Sequence, residues 1–163
     1  MRAVSYVEYG PADKVLLLKD IPTPVAAAGE VLVRLHASGV NPSDVKARAG
    51  ARANAGPRPT SEIIPHSDGA GIIEAVGPGG DESRLGQRVW IWNGQWQRSF
   101  GTAAEYIALP AEQALPLPDG TSFETGATLG IPALTACHCV YSTGEIGGQQ
   151  FRLLLHPDLS LLD

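Results

Sequence analysis

The stretch Pro65-His66-Ser67-Asp68-Gly69-Ala70-Gly71-Ile72-Ile73-Glu74-Ala75-Val76-Gly77 decides the fold of this chain. Its glycines surround two short apolar pairs, Ile72-Ile73 and Ala75-Val76. Because glycine lets another backbone or a ligand come close, a strand bounded by glycines predicts a tight corner. Many β-barrels contain such corners, so this stretch alone indicates a β-rich fold and not a particular function.

The composition of the chain excludes several classes of protein. Its 163 residues are enough for one domain with a proper core. The formal net charge is −5 and no block of basic residues occurs, which argues against nucleic acid or an anionic membrane surface as partner. No apolar run approaches the roughly 20 residues that span a bilayer, and the N-terminus lacks a signal-peptide pattern. We therefore expect no membrane span and a cytoplasmic location.

The order of apolar, polar and turn-forming residues predicts many short strands and a few brief helices. Glycine and proline punctuate the chain between the apolar runs, as is typical of a β-rich domain. Ser122 is a candidate helix cap before an acidic first turn. The predicted fold class is mainly β, a β-rich α+β domain built as a partly open twisted barrel. We expect strands at 3–9, 15–19, 30–37, 69–76, 87–92 and 103–108, an extended segment at 115–118, and helices at 45–49 and within 127–141.

Two further segments flank the central stretch and make the pattern specific. They are Ser38-Gly39-Val40-Asn41-Pro42-Ser43-Asp44 upstream and Gly101-Thr102-Ala103-Ala104-Glu105-Tyr106 downstream. In this order and spacing, the three segments resemble the N-terminal half of the quinone oxidoreductase (zeta-crystallin-like) branch of the medium-chain dehydrogenases/reductases. The resemblance runs from about Met1 to Gln150. It implies a GroES-like domain that covers one side of a cleft, opposite a Rossmann domain that binds the nicotinamide cofactor.

The resemblance divides the chain into three parts. Residues 1–126 match the GroES-like domain, and 127–150 match an inter-domain helix and the lead-in to a nucleotide-binding domain. Residues 151–163 diverge, because they contain His156-Pro157-Asp158 where a glycine-rich phosphate-binding turn is expected. We therefore expect the Rossmann domain to be missing, as in a truncated, alternatively spliced or frameshifted gene product.

The residue types at the expected zinc positions predict a protein without a metal. Zinc-dependent relatives bind catalytic zinc through a cysteine and a histidine, and this chain has Asn41 and Ser67 there. An amide and a hydroxyl replace thiolate and imidazole poorly as zinc ligands. His66 is one position away, where an extended segment points its side chain to the opposite face. Cys137 and Cys139 are two residues apart, so on a helix they do not face each other.

The resemblance also implies a cofactor site for NADPH. Asn41 and Asp44 would lie near the nicotinamide-ribose side of the cleft, and Thr135 would touch the nicotinamide end. The alternative is that Asn41 and Asp44 merely cap the turn at Pro42, while Thr135 bonds back to its own helix. No Ser/His/Asp or Cys/His nucleophile arrangement is visible, so the catalytic residues are unknown. We interpret His36 and His66 as structural residues and not as general acids.

The aromatic residues Tyr9, Trp92 and Trp96 are candidates for the acceptor pocket. Flat apolar rings suit quinones and enones, although such rings also serve as ordinary core or loop packing. A separate loop places Arg52 and Arg58 near Arg48, either as a phosphate-contacting cluster or as a solvated loop.

Two functions of different class follow from these observations. The first is an NADPH-dependent quinone or enone oxidoreductase, represented here by its catalytic-cover domain, whose isolated chain binds NADPH weakly or not at all. The second is a non-enzymatic remnant that folds alone or associates with a full-length relative. Since the segment 127–141 would meet the second domain, its apolar side chains predict self-association. These side chains are Leu129, Ile131, Leu134 and Val140.

Overall fold

A five-stranded antiparallel sheet forms the body of the computed structural model, which describes residues 1–51, 59 and 61–142. The strand order is β6-β3-β4-β5-β7, and a separate two-stranded sheet pairs β1 with β2. The strands are β1 (Arg2–Ser5), β2 (Leu17–Asp20), β3 (Glu30–Gly39), β4 (Asp68–Val76), β5 (Arg88–Ile91), β6 (Tyr106–Pro110) and β7 (Ala114–Pro116). The helices are α1 (Ala12–Val15), α2 (Pro42–Arg48), α3 (Phe123–Gly126) and α4 (Ile131–Tyr141), with single 3₁₀ turns at Glu82–Arg84 and Ala111–Gln113.

The core lies on one face of the large sheet. Alternate residues of a strand point to the same side, and here the residues on one side are apolar. In β3, for example, Val31 and Val33 are buried, while Leu32 and Arg34, which point to the other face, are partly exposed. Burying one such aliphatic side chain stabilises the fold by about 1.5–3 kcal/mol. The buried cluster consists of Val31, Val33, Ile73, Val89, Ile91, Ile107, Leu109 and Ala114.

The glycine-rich stretch forms the central strand β4, paired with β3 on one side and β5 on the other. Its pairing with β3 shifts register between Leu35 and Ala37, next to Gly71 and Ala70. A Cβ at Gly71 would overlap the carbonyl group of Arg34, so the two backbones approach where only glycine fits. The predicted tight corner is thus a bulged crossing of β3 and β4.

Several predicted strands have different ends because long-range partners decide where pairing stops. The strand expected at 3–9 ends at Ser5, where its pairing with β2 finishes, and Tyr6 instead bridges to Ile63. The strand expected from Ala103 begins at Tyr106, because Ala103 and Ala104 bond to β1 and not to β3. The run expected at 15–19 is divided between the end of α1 and β2.

The helices follow the predicted caps but not the predicted lengths. Helix α2 begins at Pro42, three residues earlier than expected, because proline is favourable in a first turn. Ser122 caps α3 as predicted, since its hydroxyl accepts a hydrogen bond from the Thr125 N–H at 3.2 Å. The apolar segment expected to be helical from residue 127 becomes α4 only at Ile131.

These elements confirm a mainly β fold with a few short helices. No Rossmann-type sheet is present among the described residues. In that part of the chain, no helix is long and apolar enough to cross a membrane. The lead-in at 143–150, the tail at 151–163, and both Arg52 and Arg58 lie outside the described residues. Arg48 is described, and its guanidinium donates a hydrogen bond to the carbonyl oxygen of Gly10.

Helix α4 is apolar in sequence, yet none of its residues is buried. Leu134 is 47% exposed and Tyr141 is 66% exposed, while Ile131 and Val140 are half-buried. Leu129, just before the helix, packs against the small cluster of Ala70, Leu117 and Ala127. The α4 surface therefore presents aliphatic side chains to solvent, which on other proteins often marks an interface.

We expect the chain to self-associate in a concentration-dependent way through α4. Replacing Leu134 by glutamine should reduce the association, because it removes apolar surface worth roughly 25 cal/mol per Å² of buried area. Sedimentation velocity over a concentration series measures the effect. The control is Leu18→Gln, which changes an equally apolar and more exposed side chain on β2. A clean monomer at high concentration that binds no hydrophobic dye would contradict this prediction.

Candidate functional site

The carboxylate of Asp68 joins three elements at one point. Asp68 is the first residue of β4 and is fully buried. Its Oδ1 and Oδ2 accept from the backbone N–H of Ile131, at 2.9 and 3.1 Å, where α4 begins. Its Oδ2 also accepts from the side-chain amide of Asn41 at 2.8 Å. A buried acidic side chain at a helix start satisfies N–H groups that otherwise lack a partner.

The turn that opens α2 is held by its own acidic side chain. Asn41 has extended backbone angles and precedes Pro42, and the Asp44 Oδ2 accepts from the Asn41 N–H at 2.7 Å. Both Asn41 and Asp44 are buried. The capping role that the sequence left open is therefore present. The capping hydrogen bonds use only some of the donors and acceptors of these two side chains.

One buried group of this turn has no hydrogen-bond partner among the described residues. It is the hydroxyl of Ser43. Buried polar groups are normally paired, so this turn retains hydrogen-bonding capacity for another molecule.

The electrostatics of the site follow from burial and from the two acidic side chains. Burial raises the pKa of Asp68, while the hydrogen bonds from Ile131 and then Asn41 act in the opposite direction. The negative charge of Asp44 raises the pKa of Asp68 further. The two donors, Ile131 and Asn41, thus favour the ionised form of Asp68, whereas burial and the charge of Asp44 disfavour it.

His66 belongs to this site, although the sequence suggested only a structural role. Its backbone has φ of 76°, the left-handed region that a residue with a Cβ rarely adopts. Its Nδ1 lies 2.9 Å from the Ser38 hydroxyl, which lies 2.9 Å from the Thr102 hydroxyl. Thr102 donates to the backbone carbonyl oxygen of Asp68 at 2.6 Å. The positions 38, 66 and 102 are too far apart in sequence for local patterns to reveal this chain of bonds.

Thr135 lies on α4, the helix whose first residue, Ile131, donates to Asp68. It lies four residues after Ile131, so the two side chains share one face of the helix. Thr135 is exposed, and its hydroxyl has no partner in the described part of the chain. The back-bonded alternative is therefore not observed, and the structure brings Asn41, Asp44 and the start of the Thr135 helix together through Asp68.

The three aromatic candidates stand on different elements. Tyr9 packs on Gly50 at the end of α2, where a Cβ on the glycine would lie 3.0 Å from the ring. The indole N–H of Trp92 donates to the carbonyl oxygen of Glu112 at 3.3 Å. Trp96 is 63% exposed on the loop after β5. Their part in an acceptor pocket stays a prediction.

A cavity of about 370 Å³ lies beside the His66 chain of bonds. Most of its walls are apolar, and its polar lining residues are His36, Ser38, His66, Thr102 and Glu105. The lining residues are Val4, Leu16, Leu35, His36, Ala37, Ser38, Pro65, His66, Thr102, Ala103, Ala104 and Glu105. A cavity of this size accommodates a small molecule.

The donor set at the expected zinc positions does not suit a metal. The Asn41 amide already donates to Asp68, and Ser67 offers a neutral hydroxyl. Within the described residues, no three His, Cys, Asp or Glu side chains group so that they could hold a metal ion. Cys137 and Cys139 are free and exposed on α4.

Comparisons with known proteins identify relatives of this fold. The sequence profile of the alcohol dehydrogenase GroES-like domain matches residues 27–119. Quinone oxidoreductase of Mus musculus is 36% identical over 145 residues, which are 89% of this chain and 42% of the relative. The mycobacterial protein Rv1454c, solved in complex with NADPH, superposes with a TM-score of 0.73 at 30% identity, over 90% of this chain and 42% of that chain. The quinone oxidoreductase of Pseudomonas syringae gives 0.73 at 28% identity, over 89% and 42%.

The matches confirm the resemblance to the quinone oxidoreductase branch. They also show that this chain spans less than half the length of the relatives it matches, 42% for the mouse protein. The matched portion is the one that the sequence predicted, the GroES-like domain.

Replacing Asp68 tests its role as the anchor. We expect Asp68→Ala to destabilise the chain by about 1–3 kcal/mol, because buried donors at Ile131 and Asn41 lose their acceptor. Asp68→Asn should cost less, since its amide oxygen still accepts from one of them. Urea unfolding measures both. The control is Asp13→Ala, an exposed aspartate whose loss should change the free energy of unfolding by about 0.5 kcal/mol or less. Equal effects of Asp68→Ala and Asp13→Ala would refute the anchor.

The environment of His66 predicts a pH dependence of stability. Burial lowers the pKa of His66, and the charge of Asp44 only partly opposes this effect. Because the folded state disfavours the charged imidazole, the contribution of His66 is present above the ordinary pKa of about 6.5 and is lost as the pH falls through the lowered value.

His66→Asn should therefore lessen the loss of stability between about pH 7.5 and about pH 5. Asparagine is chosen because it tolerates the left-handed backbone of this position. Urea midpoints at the two pH values measure the change, with His36→Gln as the matched control. An unchanged pH dependence in His66→Asn would contradict the prediction.

Proposed function

Because the chain belongs to the family of alcohol dehydrogenase GroES-like domains, we propose that it forms the GroES-like side of an NADPH-dependent quinone or enone oxidoreductase. One structural observation supports this function above the others. The Asn41–Asp44 turn keeps an unpaired polar group and is tied by Asp68 to the start of α4. These are the positions at which the resemblance expects the nicotinamide end of the cofactor.

The residues present fit that end of a nicotinamide cofactor. The unpaired hydroxyl of Ser43, the carboxylate of Asp44 and the exposed hydroxyl of Thr135 are hydrogen-bonding groups suited to ribose hydroxyls and a carboxamide. When bound, the nicotinamide would supply the hydride that reduces the acceptor. Asn41 would support this end of the cleft through one side-chain N–H, which holds Asp68, and would keep its second N–H for the cofactor.

The acceptor would be activated without a metal. With Asn41 and Ser67 at the two ligand positions, hydrogen bonds and position would have to do what zinc does in zinc-dependent relatives. Tyr9, Trp92 and Trp96 remain the proposed aromatic contacts of a flat quinone or enone. The part of the protein that completes the cleft opposite these residues is a Rossmann-type domain in this proposal.

The exposed α4 surface supports a second candidate of a different class. A chain that folds as a GroES-like domain and offers aliphatic side chains at Leu134 and Val140 is suited to associate with a full-length relative without catalysis of its own. The two candidates differ in whether Asn41, Asp44 and Thr135 contribute to hydride transfer.

The first test uses the 163-residue chain itself. Since the described residues supply only one side of the proposed cleft, we expect NADPH to bind weakly or not at all, and no oxidation of NADPH by 9,10-phenanthrenequinone. Calorimetric titration and the absorbance of NADPH measure the two quantities. Micromolar binding by the chain alone would mean that another site replaces the Rossmann side.

The decisive experiment uses a chimera in which residues 1–142 replace the matching portion of mouse quinone oxidoreductase. If the proposed function is right, the chimera reduces the quinone, and Asp44→Ala or Thr135→Ala lowers kcat/KM by about tenfold, as expected when a hydrogen bond worth about 1.4 kcal/mol is lost. Lys14→Ala, an exposed change on α1, is the control. A folded chimera that binds NADPH yet is inactive, or is indifferent to both substitutions, would favour the non-enzymatic candidate.

A further inference from the structure

The chain of hydrogen bonds from His66 to Asp68 runs in one direction. A carbonyl oxygen only accepts, so the Thr102 hydroxyl must donate its proton to the backbone oxygen of Asp68, 2.6 Å away. The Thr102 oxygen then accepts the single proton of Ser38, at 2.9 Å. The Ser38 oxygen is left to accept from His66, so Nδ1 of the imidazole carries a proton.

This direction decides what the other ring nitrogen can do. In the neutral imidazole only one nitrogen carries a proton, so Nε2 has a lone pair and is an acceptor. Burial lowers the pKa of His66 and favours that neutral form. Nε2 has no partner among the described residues. The positive φ of His66 adds a backbone cost that is usually kept where a side chain has a function.

The other polar groups that line this cavity are already bonded to the protein or stacked on a ring. Both carboxylate oxygens of Glu105 are engaged by Arg2, at 2.8 and 2.9 Å. The hydroxyls of Ser38 and Thr102 are committed to the chain of bonds. The imidazole of His36 stacks on the ring of Phe123, with centroids 4.4 Å apart. The rest of the lining is aliphatic or proline, which favours an apolar body.

We propose that this cavity is a binding site for a small phenolic compound, whose hydroxyl donates a hydrogen bond to Nε2 of His66 while its ring lies against the aliphatic walls. A flat, neutral, apolar molecule with one strong O–H donor matches the Nε2 lone pair of His66 beside aliphatic walls. A lone pair accepts but does not donate, so a carbonyl-only analogue such as a quinone would gain nothing from His66. The site goes beyond the reductase function, because it needs neither NADPH nor hydride transfer.

The test compares 1-naphthol with 1-methoxynaphthalene on the full 163-residue chain. The two probes share the same rings, but only the naphthol donates a hydrogen bond. We expect the naphthol to bind about three- to tenfold more tightly by calorimetry, the range of one net hydrogen bond. His66→Asn should remove most of that difference and leave the affinity for the ether unchanged. His138→Gln, which alters an exposed histidine on α4 outside this cavity, should change neither affinity.

Nitrogen NMR of labelled histidine supplies a readout that does not depend on affinity. We expect His66 to show a protonated Nδ1 and an unprotonated Nε2 near neutral pH, and naphthol to shift the Nε2 resonance. Ser38→Ala removes the acceptor that fixes this tautomer, so it should yield a mixture of tautomers and weaken naphthol binding. A proton on Nε2 in the unmodified chain, equal affinity for the two probes, or no saturable binding of naphthol would each overturn the proposal. Any of these results would leave the proposed reductase function standing.

Discussion

The buried carboxylate of Asp68 is the interaction on which the arrangement of this domain depends. One side chain at the start of β4 accepts from the beginning of α4 and from the residue that opens α2. Burying an ionised carboxylate is unfavourable unless its lone pairs are satisfied, and here Ile131 and Asn41 supply the donors. The anchor leaves little space, because a Cβ at Gly130 would overlap the Asp68 carboxylate.

The same residue connects two polar regions with different properties. The side chain of Asp68 holds the Asn41–Asp44 turn, whereas its backbone carbonyl ends the chain of bonds from His66 through Ser38 and Thr102. The first region keeps the unpaired hydroxyl of Ser43 beside two acidic side chains. The second lies beside a cavity whose walls are mostly apolar. Asp68 therefore joins the polar turn to the wall of that cavity.

The sheet makes this coupling possible by bringing distant segments to one edge. Gly39, at the end of β3, pairs with Asp68, and Ser38 pairs with Gly69, so the residues before α2 lie beside the start of β4. Thr102 reaches the same edge because Gly101 and Thr102 bond to the backbone at Ile64 and His66. The core on the inner face holds these strands in register, and α4 remains outside it with Leu134 exposed.

Local chemistry by itself determined much of this protein. Alternating apolar residues predicted β3, the glycines predicted the close crossing at Gly71, and Ser122 predicted where α3 begins, because each of these signals acts within a few residues. Three short motifs in order also identified the family. The tertiary structure alone decided that β1 stops at Ser5 and that β6 starts at Tyr106, since pairing partners far along the chain set those limits. It alone revealed the roles of Asp68 and His66, because a hydrogen bond between residues 27 to 64 positions apart depends on how the strands cross and leaves no periodic trace in the sequence.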